Sequence, residues 1–171
     1  MPAIGQVFAL TLALVLAAAA LQKVWSRDRL AEATARLARV GPPIGATLSL
    51  AAGAVEAAAA LALVFSQTRA IGAFLAAGLW SIYLVALIAA RSRGEGAFDC
   101  GCSFGAIAKP VDGVMIARAA SLASLAVAAG VWPATASFTA QSVFAALGLF
   151  TLYVTTGVLM ALPPIPRSHA S

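Results

Sequence analysis

Five long apolar runs separated by short polar connections dominate the chain. A membrane-crossing helix needs about 20 mostly apolar residues, and the runs at about 4–25, 44–65, 70–90, 113–131 and 141–162 meet that need. The first run exceeds the ~7–15 apolar residues of a signal peptide and has no basic segment before it, so it reads as a retained span. Between the first two runs, Leu30, Ala33, Leu37 and Val40 recur at helical spacing, while Arg27, Arg29, Glu32, Arg36 and Arg39 take the other faces. That pattern predicts a short amphipathic helix on the membrane surface; a solvated basic connector is the plainer alternative. Gly41-Pro42-Pro43 is expected to end this helix, because proline lacks the N–H that would continue it. Gln67-Thr68-Arg69 reads as a tight turn, Trp132-Pro133 closes the fourth run, and Pro163-Pro164 stops the fifth. The expected fold is an all-α integral membrane protein with one transmembrane domain over residues 1–171. It has a four-helix core, a C-terminal fifth helix and a short interfacial helix after the first span.

Composition agrees. Of 171 residues, 62% are hydrophobic and only 10% charged, against roughly a quarter charged in soluble domains. The apolar excess therefore faces lipid. The net charge of +5 does not point to nucleic acid, since the basic residues form no stripe with interleaved aromatics. They cluster in the connections, where they set orientation. With five spans, Lys23, Arg27, Arg29, Arg36, Arg39, Arg91, Arg93, Lys109, Arg118 and Arg167 fall on one side and Arg69 alone on the other. The positive-inside rule thus places the 91–112 connection in the cytoplasm. Small residues let membrane helices approach closely, and Gly45, Gly53, Gly72, Gly78, Gly148 and Gly157 are assigned to packing.

The chemistry is concentrated in that connection. It holds both cysteines of the chain, Cys100 and Cys102, in the run Asp99-Cys100-Gly101-Cys102-Ser103-Phe104-Gly105. Cysteines at i and i+2 can close a small disulfide ring, with Gly101 supplying backbone freedom. Such a ring is strained and easily reduced, and it would restrict the unfolded chain very little. It suits exchange better than stapling. Spacing alone leaves inert thiols open as well. A metal reading is weaker: His169, the chain's single histidine, lies remote in the polar tail, and a closed zinc site would need Asp99 or a second subunit.

Charges within or beside the spans are the other candidates. An ionised Glu56 inside the second span is costly unless it is paired, protonated or turned to the bundle interior. Lys23, at the end of the first span, could pair with Glu56 or extend its ammonium to the headgroups, the commoner outcome at a helix end. Arg118 stands in the first turns of the fourth span, where it could reach towards the cysteine loop and favour thiolate. A proton-coupled transporter built on Glu56 is disfavoured, because the chain is short and shows no paired broken helices.

Taken together, Lys23, Glu56, Asp99-Cys100-Gly101-Cys102 before Phe104-Gly105, and Arg118 resemble the pattern of the MauE family. These are methylamine utilisation membrane proteins within the wider group of DoxX-like helical bundles. The likeness runs from about Ile4 to Val131. Ser103 departs from it, since the family usually continues from cysteine directly to Phe-Gly, and so does Ala119, where asparagine is expected. The resemblance implies thiol–disulfide exchange at Cys100 and Cys102, with Lys23, Glu56, Asp99, Gly101, Phe104, Gly105 and Arg118 in support. It implies a role in maturing the disulfide-rich small subunit of methylamine dehydrogenase, with a thioredoxin-like partner, MauD. The bundle layout is also similar to vitamin K epoxide reductase, which makes a quinone a possible electron acceptor. The resemblance implies a bacterial inner-membrane protein with the cysteine loop in the periplasm, in opposition to the charge bias. A non-catalytic membrane anchor for a redox partner is the alternative.

Overall fold

The computed structural model describes residues 2–94, 111–132 and 139–161. Six helices form: α1 (Pro2–Trp25), α2 (Arg27–Ala38), α3 (Pro42–Val64), α4 (Arg69–Ser92), α5 (Gly113–Val131) and α6 (Ala140–Ala161). All except α2 are long and apolar enough to cross a membrane. The protein is a multi-pass helical membrane protein, as the five apolar runs predict. Residues 95–110, which include Cys100 and Cys102, lie outside the described residues, as does the tail with His169.

α1, α3, α4 and α5 form a four-helix ring, and the backbone of α6 lies against that of α1 on the outside. Their shared core is built largely of alanine, with Ala13, Ala59, Ala76 and Ala126 around Leu12, Leu16, Leu63 and Trp80. Without bulky side chains the backbones come close, which is how membrane helices gain dispersion energy when lipid offers no hydrophobic drive. The ends of α1, α4 and α6 and the start of α5 share one face of the bundle, here called the loop face. On the opposite face the end of α5 meets the start of α4, where a Cβ on Gly130 would lie 3.2 Å from Ala73.

α2 does more than follow the first span. Ser26 N–H donates to the Gln22 carbonyl at 2.8 Å, and Leu30 N–H to the Ser26 carbonyl at 3.0 Å. Helical bonding therefore runs nearly unbroken through a kink at Ser26 (φ −114°, ψ 37°). α2 then lies against the first turns of α3. Gly45 permits this, since a Cβ there would collide with Ala35 and with the Ala31 carbonyl.

Two expectations about the connections, and one about glycine packing, are corrected. α2 ends at Arg39, which adopts the left-handed conformation (φ 56°). Arg39 N–H bonds the Arg36 carbonyl at 3.2 Å and Val40 N–H the Ala35 carbonyl at 2.9 Å, the two bonds of a Schellman cap. The prolines begin α3 instead of ending α2: at the first helical positions the missing N–H is no loss. Arg69 is the first residue of α4, not part of the turn, which lies just before it. Gly78 and Gly148 would meet nothing within 4 Å and so are not packing glycines, whereas Gly72 abuts the Leu63 amide and the Ala59 carbonyl.

Replacing Gly45 with valine is expected to lever α2 off α3. Overpacking of this kind costs about 1–3 kcal/mol. Tryptic cleavage at Arg29 or Arg36 in detergent should then rise by roughly tenfold, since protease samples the open population.

Candidate functional site: a buried ion pair in the bundle

Glu56 and Lys23 find each other in the interior. Lys23 Nζ donates to Glu56 Oε1 at 2.7 Å and to Oε2 at 2.8 Å. The two side chains are 7% and 1% exposed, so the pair is closed to both water and lipid. Lys23 does not extend to the headgroups. The reason lies in helix register. Because α2 runs back along the start of α3, the middle of α3 comes level with the end of α1. Glu56 sits about 21 Å from Pro42 and about 12 Å from Val64 along the axis, at 1.5 Å per residue. The lysine stem runs beside Gly53, where even an added Cβ would stand 3.4 Å from Cδ, in ordinary contact.

A third member, Tyr83 of α4, was not foreseen. Its hydroxyl donates to Glu56 Oε1 at 3.0 Å, and Lys23 Nζ stands 5.6 Å from its ring centroid. Three helices thus meet at one carboxylate. The signal was available in the sequence: tyrosines in membrane proteins concentrate at the interfaces, yet Tyr83 and Tyr153, the chain's only two, both lie well inside their spans. Each of them meets a cation. Removing the Tyr83 hydroxyl by substitution with phenylalanine should cost about 0.6–1.7 kcal/mol, the range of interhelical hydrogen bonds in a membrane, read as an earlier midpoint in a detergent-unfolding titration.

Arg118, expected to reach towards the cysteine loop, meets α6 among the described residues. Its guanidinium carbon stacks 3.9 Å from the centroid of the Tyr153 ring on α6. At the opposite face, Arg69 is 4% exposed and donates from Nη2 to the Gly5 carbonyl of α1. The one basic residue on that side is therefore engaged with backbone. On the outer surface, α1 and α3 enclose an apolar groove of about 670 Å³ lined by leucines and alanines. The Lys23 stem contributes to its wall, while its ammonium is held by Glu56.

Of the residues singled out from sequence, the structure joins Lys23 and Glu56 and places Arg118 on α5 against α6. Asp99, Cys100, Gly101, Cys102, Phe104 and Gly105 lie outside the described residues. In sequence they fall between the end of α4 and the start of α5. Among the described residues no group of three His, Cys, Asp or Glu side chains could hold a metal ion.

Residues 1–132 match the family model described as "Methylamine utilisation protein MauE". No curated protein and no solved structure matches the chain.

Proposed function

The chain belongs to the MauE family, and we propose that it is a thiol–disulfide redox component of the bacterial inner membrane that assists maturation of an exported, disulfide-rich client. The observation that carries this reading is the Cys100-Gly101-Cys102 run, within the residues matched to the family and between α4 and α5 in sequence. Lys23, Glu56 and Tyr83 fix the helices that frame the loop face, and serve as scaffold to the exchange.

In the proposed cycle a client thiolate attacks one sulfur of the Cys100–Cys102 disulfide, forming a mixed disulfide and releasing the other cysteine as thiolate. A second client thiolate resolves it. The client gains a disulfide, and the membrane pair takes up two electrons and two protons. Reoxidation passes these to an acceptor of the quinone class, which leaves as quinol. A thioredoxin-like protein of the MauD kind carries the exchange between the pair and the client, proposed as the small subunit of methylamine dehydrogenase. The loop is placed in the periplasm, where such clients fold.

Trapping tests this directly. With Cys100→Ser or Cys102→Ser, the remaining thiol cannot be resolved internally, and one of the two variants should accumulate a mixed disulfide with a thioredoxin-fold protein. It would appear on a non-reducing gel after acid quenching and vanish on reduction. Absence of such an adduct from both variants would contradict the exchange mechanism.

A further inference from the structure

The ion-pair network accounts for Lys23 and Glu56 but leaves Arg118 incomplete. Its Nε and Nη2 are shielded from solvent and hydrogen-bond to nothing among the described residues. A guanidinium keeps its charge in any protein environment, and a shielded N–H without an acceptor is costly. Nε and Nη2 form one edge of the planar fork, the edge that takes two oxygens of a single oxyanion side by side. The nearest described carboxylate in sequence is already used: Asp112 caps α5 by accepting from Met115 N–H at 2.8 Å.

Two features hold the fork in place. The Tyr153 ring lies 3.9 Å beneath it. Gly157, one turn further along α6, opens the room, since a Cβ there would stand 3.1 Å from Nη1. The helices themselves stay apart. The described backbones of α5 and α6 do not come within 8 Å of each other, and the only backbone α6 approaches among the described helices is that of α1. Arg118 therefore bridges a gap between two helices. It sits about 7.5 Å along α5 from Gly113, at 1.5 Å per residue, near the headgroup layer and within reach of the local thinning that intramembrane arginines impose.

We infer that Arg118, stacked on Tyr153 and seated over Gly157, binds the phosphodiester of a membrane phospholipid at the loop-face end of the α5–α6 gap. The gap takes the upper part of an acyl chain, and the lipid joins α6 to the rest of the bundle. This site is independent of the redox reading.

The test uses the full-length protein in neutral detergent, with bound lipid counted by native mass spectrometry. The probes are phosphatidylglycerol, diacylglycerol of the same chains, and inorganic phosphate alone. The native chain should retain one phosphatidylglycerol at concentrations where Arg118→Gln retains at least tenfold less, with no such difference for diacylglycerol. Gly157→Val, which fills the notch from the other helix, should show the same loss, so the inference does not depend on one variant folding. Tyr83→Phe, altered elsewhere in the bundle, should keep the lipid. Equal retention by the native chain and Arg118→Gln would overturn the inference. So would displacement of the lipid by inorganic phosphate, which would make the ligand a free anion. A rise in lipid retention on Asp99→Asn or Glu95→Gln would also overturn it, since the chain's own carboxylate would then be the natural acceptor.

Discussion

Replacing Lys23 with methionine is expected to destabilise the bundle by about 3–5 kcal/mol, the cost of leaving one partner of a buried ion pair uncompensated. Glu56 is 1% exposed, and with Lys23 gone its carboxylate still accepts from the Tyr83 hydroxyl but has lost its counter-charge. The variant would have to bury a bare charge, take up a proton, or pull α3 away from α1 to admit water. Methionine fills much the same volume as the lysine stem, so packing beside Gly53 is preserved and the charge term is isolated. The double variant Lys23→Met, Glu56→Leu should recover most of the loss, because replacing both members of a buried pair with apolar groups is often neutral or better. Detergent-unfolding midpoints for the two singles and the double form a cycle. A double no more stable than the singles would show that the pair contributes through something other than mutual charge compensation.

The second large effect concerns chemistry. Replacing both Cys100 and Cys102 with serine is expected to abolish disulfide formation in the client while leaving the protein in the membrane at normal abundance. A disulfide across three residues removes little entropy from the unfolded chain, so the fold should not register its loss. The contrast with Lys23→Met is the useful point: one variant loses stability, the other only exchange. Mass spectrometry of the alkylated client reads the number of free thiols. An unchanged client in the serine variant would leave the protein as an assembly subunit that anchors a redox partner, with the ion-pair network as its structural centre.

The five spans were legible because lipid imposes a single demand, length of apolar run, that no tertiary context overrides. α2 was legible for a different reason: Leu30 and Leu37 keep helical phase among arginines. What could not be read was register between helices. Lys23 at the end of α1 looks placed for the headgroups, and only the folding of α2 back along α3, through Gly45, brings Glu56 level with it. With the partners 33 residues apart, the sequence offered the pair only as one of two alternatives for Lys23. Tyr83 went unnoticed because a single aromatic in an apolar run reads as core. The stacking of Arg118 on Tyr153 was not legible either, because nothing in the sequence says which helix brings a ring beside α5. Pro42 and Pro43 read as a stop because a helix precedes them, although proline begins a helix as readily as it ends one.

Charge and family point the 91–112 connection to opposite sides of the membrane. Arg69 alone stands on the other side, still a cation while it donates to the Gly5 carbonyl, so the bias remains in the folded protein. The direct measurement is labelling of Cys100 and Cys102 in intact cells with a membrane-impermeant maleimide, before and after mild reduction, read as a mass shift on the protein. Labelling that appears only after reduction is the expected result, and it would place an oxidised, exchangeable pair outside the membrane. Full labelling only after lysis, without reductant, would put reduced thiols in the cytoplasm and contradict periplasmic disulfide exchange.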